Sequence, residues 1–362
     1  MSAAIRRSSG NWRALLLRYE TFLLVALVAE WLFFYHFGTT VNRRGMVVGF
    51  GTVERQFDIL RHSCEIGMLA LALTPVILTG GIDLSVGSLL GLCAVGFGWL
   101  WHDAGWSVPA AAAGTLVLGA LGGGLNAGLI AGLRLPALIV TLGTYSLFRG
   151  LAEAFTHGAV SYTGFPAGFL RLGQGHWLGV PAQAWVFAAV VGFIWILVHR
   201  TTTGRAFRVI GFSPEGARYA GLPVTRQVAF TYVLAGVVVA AAALVYTARL
   251  GQAKADAGTG YELFAITAVV LGGTSIFGGR GSVTGTLLGV AAIAVLKNGL
   301  ATLPAVIRLN AAEELAGFGT GVLLLLALAG SSLLGRLSWR RKPSSAGAQS
   351  ETSTAKPKEG AT

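Results

Sequence analysis

Long apolar runs recur along almost the whole chain, and they leave it little choice of fold. A hydrocarbon core about 30 Å thick needs roughly 20 apolar residues per helix. Runs of that kind begin with Tyr19–Phe37, Ser63–Thr79 and Leu84–Trp101. They continue with Val108–Leu133, Pro136–Thr156 and Val180–Val198, and close with Val228–Ala248, Leu263–Phe277, Val283–Leu303 and Leu315–Leu334. About ten transmembrane helices are expected, the eighth being the shortest. Hydrophobic residues make up 54% of the 362 and charged ones only 12%, about half the charged share of an ordinary soluble domain. A soluble core cannot hide so much apolar sequence. The 52 glycines let helices approach closely, as membrane bundles do. The fold class expected is an all-α polytopic membrane protein with glycine-broken segments.

Lysine and arginine set the orientation. Arg6, Arg7, Arg13 and Arg18 precede the first run, and Arg336, Arg340, Arg341 and Lys342 follow the last. An even number of spans puts both groups in the cytoplasm, as the positive-inside tendency asks. The same assignment puts Arg134, Arg280 and the segment 200–226 inside. Asn42–His62, assigned outside, runs against it with Arg43, Arg44, Arg55 and Arg61. The net charge of +12 reads as this membrane asymmetry, and no nucleic-acid partner is expected. The chain divides into a cytoplasmic N-terminal segment over 1–18, a transmembrane domain over 19–335 and a cytoplasmic tail over 336–362. That tail is basic at first, then small, polar and disordered in composition. The opening residues are too polar for a cleavable signal peptide. Cys64 and Cys93 lack CxxC spacing and read as small buried residues.

The stretch LTGGIDLSVGS, Leu78–Ser88, breaks the apolar pattern. Gly80 and Gly81 can end one helix, and Asp83 or Ser85 can cap the next, with Ser88 in its first turn. Two readings stand side by side: a short cytoplasmic turn, or an element of a translocation path. Irregular backbone at membrane depth survives only if it is buried in protein or lines a wet cavity. VVLGGTSIFGGRGSVTG, Val269–Gly285, echoes the break loosely, and paired interruptions point to transport sites.

Other polar residues fall inside the runs. Arg149, Glu153 and His157 share one helix face. They read either as an ion pair snorkelling to the outer interface or as a polar stripe facing a path. Asn126 lies in GGGLNAGLIAG, where Gly124, Gly128 and Gly132 form a small-residue face suited to helix packing, with Asn126 as an interhelical hydrogen-bonder. Lys297 and Asn298 read as snorkelling residues. No GxxxxGK[ST], HExxH or GxSxG is present in the sequence, so neither a P-loop nor a catalytic constellation is expected here. The six histidines show no metal-ligand spacing.

The longest hydrophilic interruption between spans lies between His199 and Gln227. Within it, Ser213 suits a helix N-cap, Pro214 the first helical position, Glu215 the positive helix end, and Gly221 with Pro223 the stop. Arg218 and Tyr219 would be exposed, as if to rest in another protein's groove.

Four stretches together resemble the membrane-spanning permease subunits of bacterial ABC sugar importers, in the ribose/xylose/rhamnose branch. They are VILTGGIDLSVGS (Val76–Ser88), LPALIVTLGTYSLFRGLA (Leu135–Ala152), IGFSPEGARYAGLPV (Ile210–Val224) and GTGYELFAITAVVLGGTSIFGGRGSVTGTLLG (Gly258–Gly289). The resemblance implies an ABC importer permease fold in the bacterial inner membrane. It implies pairing with a second permease subunit, docking of a cytoplasmic ABC ATPase that binds the ATP, and delivery of a small-molecule substrate by a periplasmic binding protein. This chain would carry no cofactor and no catalysis of its own. By the resemblance Gly211, Ser213, Pro214, Glu215, Ala217 and Gly221 are coupling positions, and Gly80, Gly81, Asp83, Ser85 and Ser88 form the broken-helix element. Arg149 and Glu153 are the candidates for a path stripe. The expected mechanism is alternating access driven from the ATPase. An ATP-independent secondary transporter or channel is the alternative, with Asp83 and Glu153 as the in-span carboxylates read as coupling candidates. A permease-like scaffold with a regulatory role is a third reading. Glu313 and Glu314 stand where such permeases often carry a lysine, which bears on contacts with the outer partner.

Overall fold

The computed structural model describes residues 19–41, 47–158, 161–300, 302 and 321–322. Helix α1 (Tyr19–Phe37) is exposed over most of its length, burying Leu23 and Phe34. A two-stranded hairpin, β1 (Thr39–Val41) with β2 (Val47–Gly49), leads to α2 (Val53–Leu78). This helix starts ten residues before the apolar run at Ser63. Residues 53–62 were expected in an outer loop, yet they form nearly three helical turns at 3.6 residues per turn, with Ile59 buried and an Arg61–Asp58 pair at 3.1 Å. Apolar content marks the part of a helix that meets lipid, and a helix can continue past it.

The centre of the bundle is α3 (Val86–His102), buried along nearly its whole length. Around it lie α4 (Val108–Ala127), prolonged by one π turn over Gly128–Gly132, and α5 (Ala137–Phe155). A short helix α6 (Ala167–Gln174) and α7 (Ala182–Arg200) follow. Next come α8 (Thr202–Phe212), α9 (Pro214–Tyr219) and the long α10 (Val224–Leu250). The chain continues through α11 (Tyr261–Leu271) to α12 (Val283–Leu300). Two further strand pairs are two residues deep: β3 (Tyr162–Thr163) with β6 (Gln252–Ala253), and β4 (His176–Trp177) with β5 (Val180–Pro181).

Six described helices, α1, α2, α4 with its π turn, α7, α10 and α12, are long and apolar enough to cross a membrane. Helices α3 and α11 are apolar but shorter, and α5 carries Arg149 and Glu153 among its 19 residues. The predicted tenth span, Leu315–Leu334, lies outside the described residues except for Gly321 and Val322. Helix α11 stops at Leu271, six residues short of the predicted end, because Gly272 closes it and Gly273 turns to φ +86°.

Glycine governs a close contact between α4 and α10. A methyl group at Gly119 or Gly123 would overlap the carbonyls of Gly236 and Tyr232, and one at Gly236 would overlap that of Gly119. Without a hydrophobic drive between helices in lipid, close van der Waals contact of this kind holds them together. The packing face is thus Gly119 and Gly123, and not the predicted Gly124, Gly128 and Gly132, beside which a methyl would meet open space. Spacing by four fits several faces of a glycine-rich helix; the partner decides which one is used.

Candidate functional site

The predicted break after α2 is present. Thr79 closes the helix, Gly80 takes φ +83°, and residues 81–84 are irregular before α3 begins. Asp83 is 3% exposed, and Ser85 and Ser88 are fully buried. Neither Asp83 nor Ser85 caps α3 in the expected way. The Asp83 carboxylate accepts from the Ser85 amide (2.8 Å) and the Ser85 hydroxyl (2.6 Å), both ahead of the helix. The Ser85 oxygen accepts in turn from Asn126 Nδ2 at 2.9 Å, and Asn126 Oδ1 accepts from the Thr144 hydroxyl at 2.8 Å. Thr141 adds a bond to the Ile82 carbonyl at 3.3 Å. One polar chain therefore ties the break to α4 and α5. Asn126 bonds between helices as its sequence setting suggested. The irregular backbone is accommodated by burial in protein, with Asp83 facing this network.

The predicted short helix in the hydrophilic interruption is α9. Its first turn is capped by Ser213, whose hydroxyl accepts from the Gly216 amide at 3.0 Å, with Pro214 at the first position and Glu215 in the first turn. Ala217 is buried with Ala206, Ile210 and Val224, so α9 is held against α8 and the start of α10. Gly221 leaves the helix at φ +78°. Tyr219, 93% exposed, lies on its solvent side, and Phe212 at the end of α8 is exposed as well. Helix α8 was not foreseen. Its polar residues hide an amphipathic pattern, with Gly204, Ala206, Phe207 and Ile210 buried on one face.

These elements meet at a single point that sequence spacing does not reveal. Gly211 in α8 sits so close to the Leu78 carbonyl and the Gly279 amide that a methyl there would overlap both. The Gly279 amide donates to the Leu78 carbonyl at 2.9 Å. A methyl on Gly278 would lie 2.8 Å from the Gly80 nitrogen and 2.9 Å from the Gly211 Cα. The end of α2, the glycine-rich turn between α11 and α12, and the end of α8 are thus in backbone contact. The loose echo between the two breaks corresponds to a physical junction.

The proposed stripe on α5 is divided. Arg149 is half-buried and donates to the carbonyls of Ala255 and Ala257, the latter at 3.2 Å, while Glu153 and His157 are exposed. Arg149 turns to that backbone rather than to Glu153. Lys297 does not snorkel freely: its ammonium lies over the rings of Phe264 (5.0 Å) and Tyr261 (5.9 Å).

Two buried glutamates were missed. Glu65, within the second apolar run, is 0% exposed and forms a two-pronged pair with Arg249, at 2.6 and 2.9 Å. Glu262 is 7% exposed; one of its oxygens accepts from the Gly260 amide at 3.2 Å. A carboxylate inside an apolar run is itself the signal, since it demands a partner. At the far end of α3, Asp103 binds His102 Nδ1 at 2.7 Å and accepts from the Tyr162 hydroxyl at 2.8 Å. Together those contacts hold the Asp103 carboxyl below its usual range, His102 contributing more than Tyr162. Burial, then Asp103, pushes the Tyr162 phenol up to about 12. Among the described residues no three His, Cys, Asp or Glu side chains gather as a metal site.

Residues 56–328 match the family model described as branched-chain amino acid transport system / permease component. The autoinducer 2 import system permease protein LsrD of Yersinia pseudotuberculosis is 40% identical over 273 residues, covering 74% of this chain and 80% of that protein. The protein of the same name from Yersinia enterocolitica is 40% identical over the same coverage. A solved chain from an inward-facing ABC transporter of the metal-chelate type superposes with a TM-score of 0.46 at 16% identity, covering 89% of this chain and 98% of that one.

Proposed function

The chain belongs to the branched-chain amino acid transport system / permease component family, and on that premise we propose how it works and what it carries. It is a multi-pass membrane permease subunit of an ABC-type importer. The cargo is a small neutral solute of the sugar-like kind, autoinducer 2 being the first candidate because relatives 40% identical are named for its import. The chain sits in the bacterial inner membrane with both termini in the cytoplasm. It pairs with a second permease subunit, receives solute from a periplasmic binding protein, and takes its energy from a cytoplasmic ABC ATPase that binds the ATP.

One observation carries the coupling part of this reading: the backbone junction of Gly211, Leu78 and Gly279. Helix α9 presents Glu215, Arg218 and Tyr219 outward, suited to a groove in the ATPase. Movement of α8 and α9 cannot be absorbed at the junction, since no side chain intervenes. It passes to the end of α2 and to the turn before α12, the two breaks that flank the bundle. From the first break the Asp83–Ser85–Asn126–Thr144 chain carries it to α4 and α5. Such packed contacts switch between arrangements more readily than they stretch, as alternating access requires. Asp83 acts here as a structural acceptor that shapes the path.

The test is a detergent pull-down of the tagged chain from its native membrane, with ATPase activity assayed in the bound fraction. An ATPase should copurify and be lost in a Glu215→Lys/Gly221→Trp variant that still inserts. A chain recovered without any ATPase would sink the coupling reading and favour an ATP-independent transporter.

A further inference from the structure

Between α10 and α11 the chain abandons helix while still inside the bundle. Residues 255–260 form successive turns, with left-handed backbone at Gly258 and Gly260. They descend along α3: a methyl at Gly98 would strike Tyr162, at Gly91 the carbonyls of Ala255 and Ala257, and at Gly87 the Gly258 carbonyl and Glu262. Gly91 lies 11 residues before His102, about 16 Å along the helix at 1.5 Å per residue. In a hydrocarbon core about 30 Å thick, these turns reach mid-membrane depth.

Backbone without helical bonds at that depth must be satisfied by protein or face water. The inward side is satisfied. Arg149 holds the carbonyls of Ala255 and Ala257, the Thr259 hydroxyl donates to the Asp256 carbonyl at 2.7 Å, and the Ala257 amide to that of Lys254 at 3.2 Å. The outward side is different. Asp256 and Thr259 are exposed, as are Ser146 and Glu153, which share a helix face with Arg149. Methyls at Gly143, Gly150 and Gly260 would meet open space. Lipid is a poor neighbour for a carboxylate at this depth.

We infer that the outward face of residues 256–259, together with Ser146 and Glu153 of α5, is a hydrated wall of the solute path and a contact site for the cargo. The wall is rich in acceptors: the Asp256 and Glu153 carboxylates accept only, and the Thr259 hydroxyl has spent its proton on Asp256. Lys254, half-buried, stands at the upper end. Such a surface takes a neutral solute that donates several hydroxyl hydrogens and repels carboxylates and phosphates. Arg149 is a positioning residue here, because it holds the wall's backbone from behind. The inference rests on the permease reading and narrows its substrate class.

The test is labelling of Asp256→Cys and Thr259→Cys variants in native membranes with a membrane-impermeant thiol reagent. Cys64 and Cys93 are buried and serve as the unlabelled background. Both introduced thiols should react, and an excess of autoinducer 2, used as the probe, should abolish the reaction. Failure of both to react, while a Gly105→Cys control in the α3–α4 loop does, overturns the wall. Reaction without protection overturns the contact site. An Asp256→Asn variant should raise the KM for autoinducer 2 uptake roughly tenfold at unchanged ATPase copurification; an unchanged KM also counts against the site. Absence of uptake by the unsubstituted complex would instead refute the proposed cargo, and the labelling of the wall would still be read independently.

Discussion

Replacing either partner of the Glu65–Arg249 pair should damage the bundle far more than replacing both. Glu65 is fully buried in α2 and Arg249 ends α10, joined by two short bonds at 2.6 and 2.9 Å. Glu65→Met strands a mostly buried guanidinium, and Arg249→Met strands a buried carboxylate. Removing one partner of such a pair costs about 3–5 kcal/mol, whereas a well-packed apolar replacement of both is often neutral or better. At about 2–4 °C per kcal/mol for a domain of 150–250 residues, each single variant should melt roughly 6–20 °C lower, and the double variant near the parent. The assay is thermal unfolding in detergent followed by a thiol-reactive fluorophore, since Cys64 and Cys93 are buried until the core opens. Additive losses in the double variant would refute the reasoning, because coupled partners must show an interaction energy.

Gly211→Val should leave α9 folded but force α8 away from Leu78 and Gly279, costing about 1–3 kcal/mol as overpacking does; ATPase should still copurify while uptake is lost, and normal uptake would count against a rigid junction. Asn126→Leu removes the link between Ser85 and Thr144, while Ser85 keeps its bond to Asp83 and Thr144 its long one to the Thr141 carbonyl; the two lost bonds should cost about 0.5–1.5 kcal/mol each, which a denaturation midpoint will report. For the Tyr162–Asp103 contact the sign runs both ways. The depressed Asp103 carboxyl favours the fold above its usual range near pH 4 and that contribution is lost as pH falls through its lowered value. The raised Tyr162 phenol favours the fold below pH about 10 and that contribution is lost as pH climbs towards 12. Asp103→Asn should bring the Tyr162 titration down towards the ordinary value, measured by tyrosinate absorbance against a Tyr162→Phe control; no movement would mean that the hydrogen bond does not set it.

Local chemistry was legible in the sequence wherever the signal was itself local. Ser213, Pro214, Glu215 and Gly221 announce α9 within nine residues, and Gly80 announces its break because only a left-handed turn leaves α2 there. Apolar runs located nine helices but not their ends: α2 outlasts its run at one side, and α11 falls short of its own. Helix α8 was hidden because a composition window sees Thr202, Arg205 and Arg208 as linker, while the fold buries Gly204, Ala206, Phe207 and Ile210. What no spacing could supply is which glycine face meets which backbone. Gly124, Gly128 and Gly132 look as suitable as Gly119 and Gly123 until α10 is in place. Glu65 and Arg249 are likewise 184 residues apart, and each alone reads as an oddity near a span end.

With α9 docked on an ATPase as proposed, the junction at Gly211 would set how tightly fuel use and transport are geared. Side-chain contacts have play: a rotamer can flip and let one surface slip on another. Where bare backbone presses on bare backbone, as among Leu78, Gly80, Gly211, Gly278 and Gly279, that slack is missing, so the linkage behaves like a gear without backlash. Each stroke at α9 must then be matched by a stroke at both breaks or be blocked outright. A larger residue at Gly211, Gly278 or Gly279 would then stall the machine together with its engine, rather than let the engine idle.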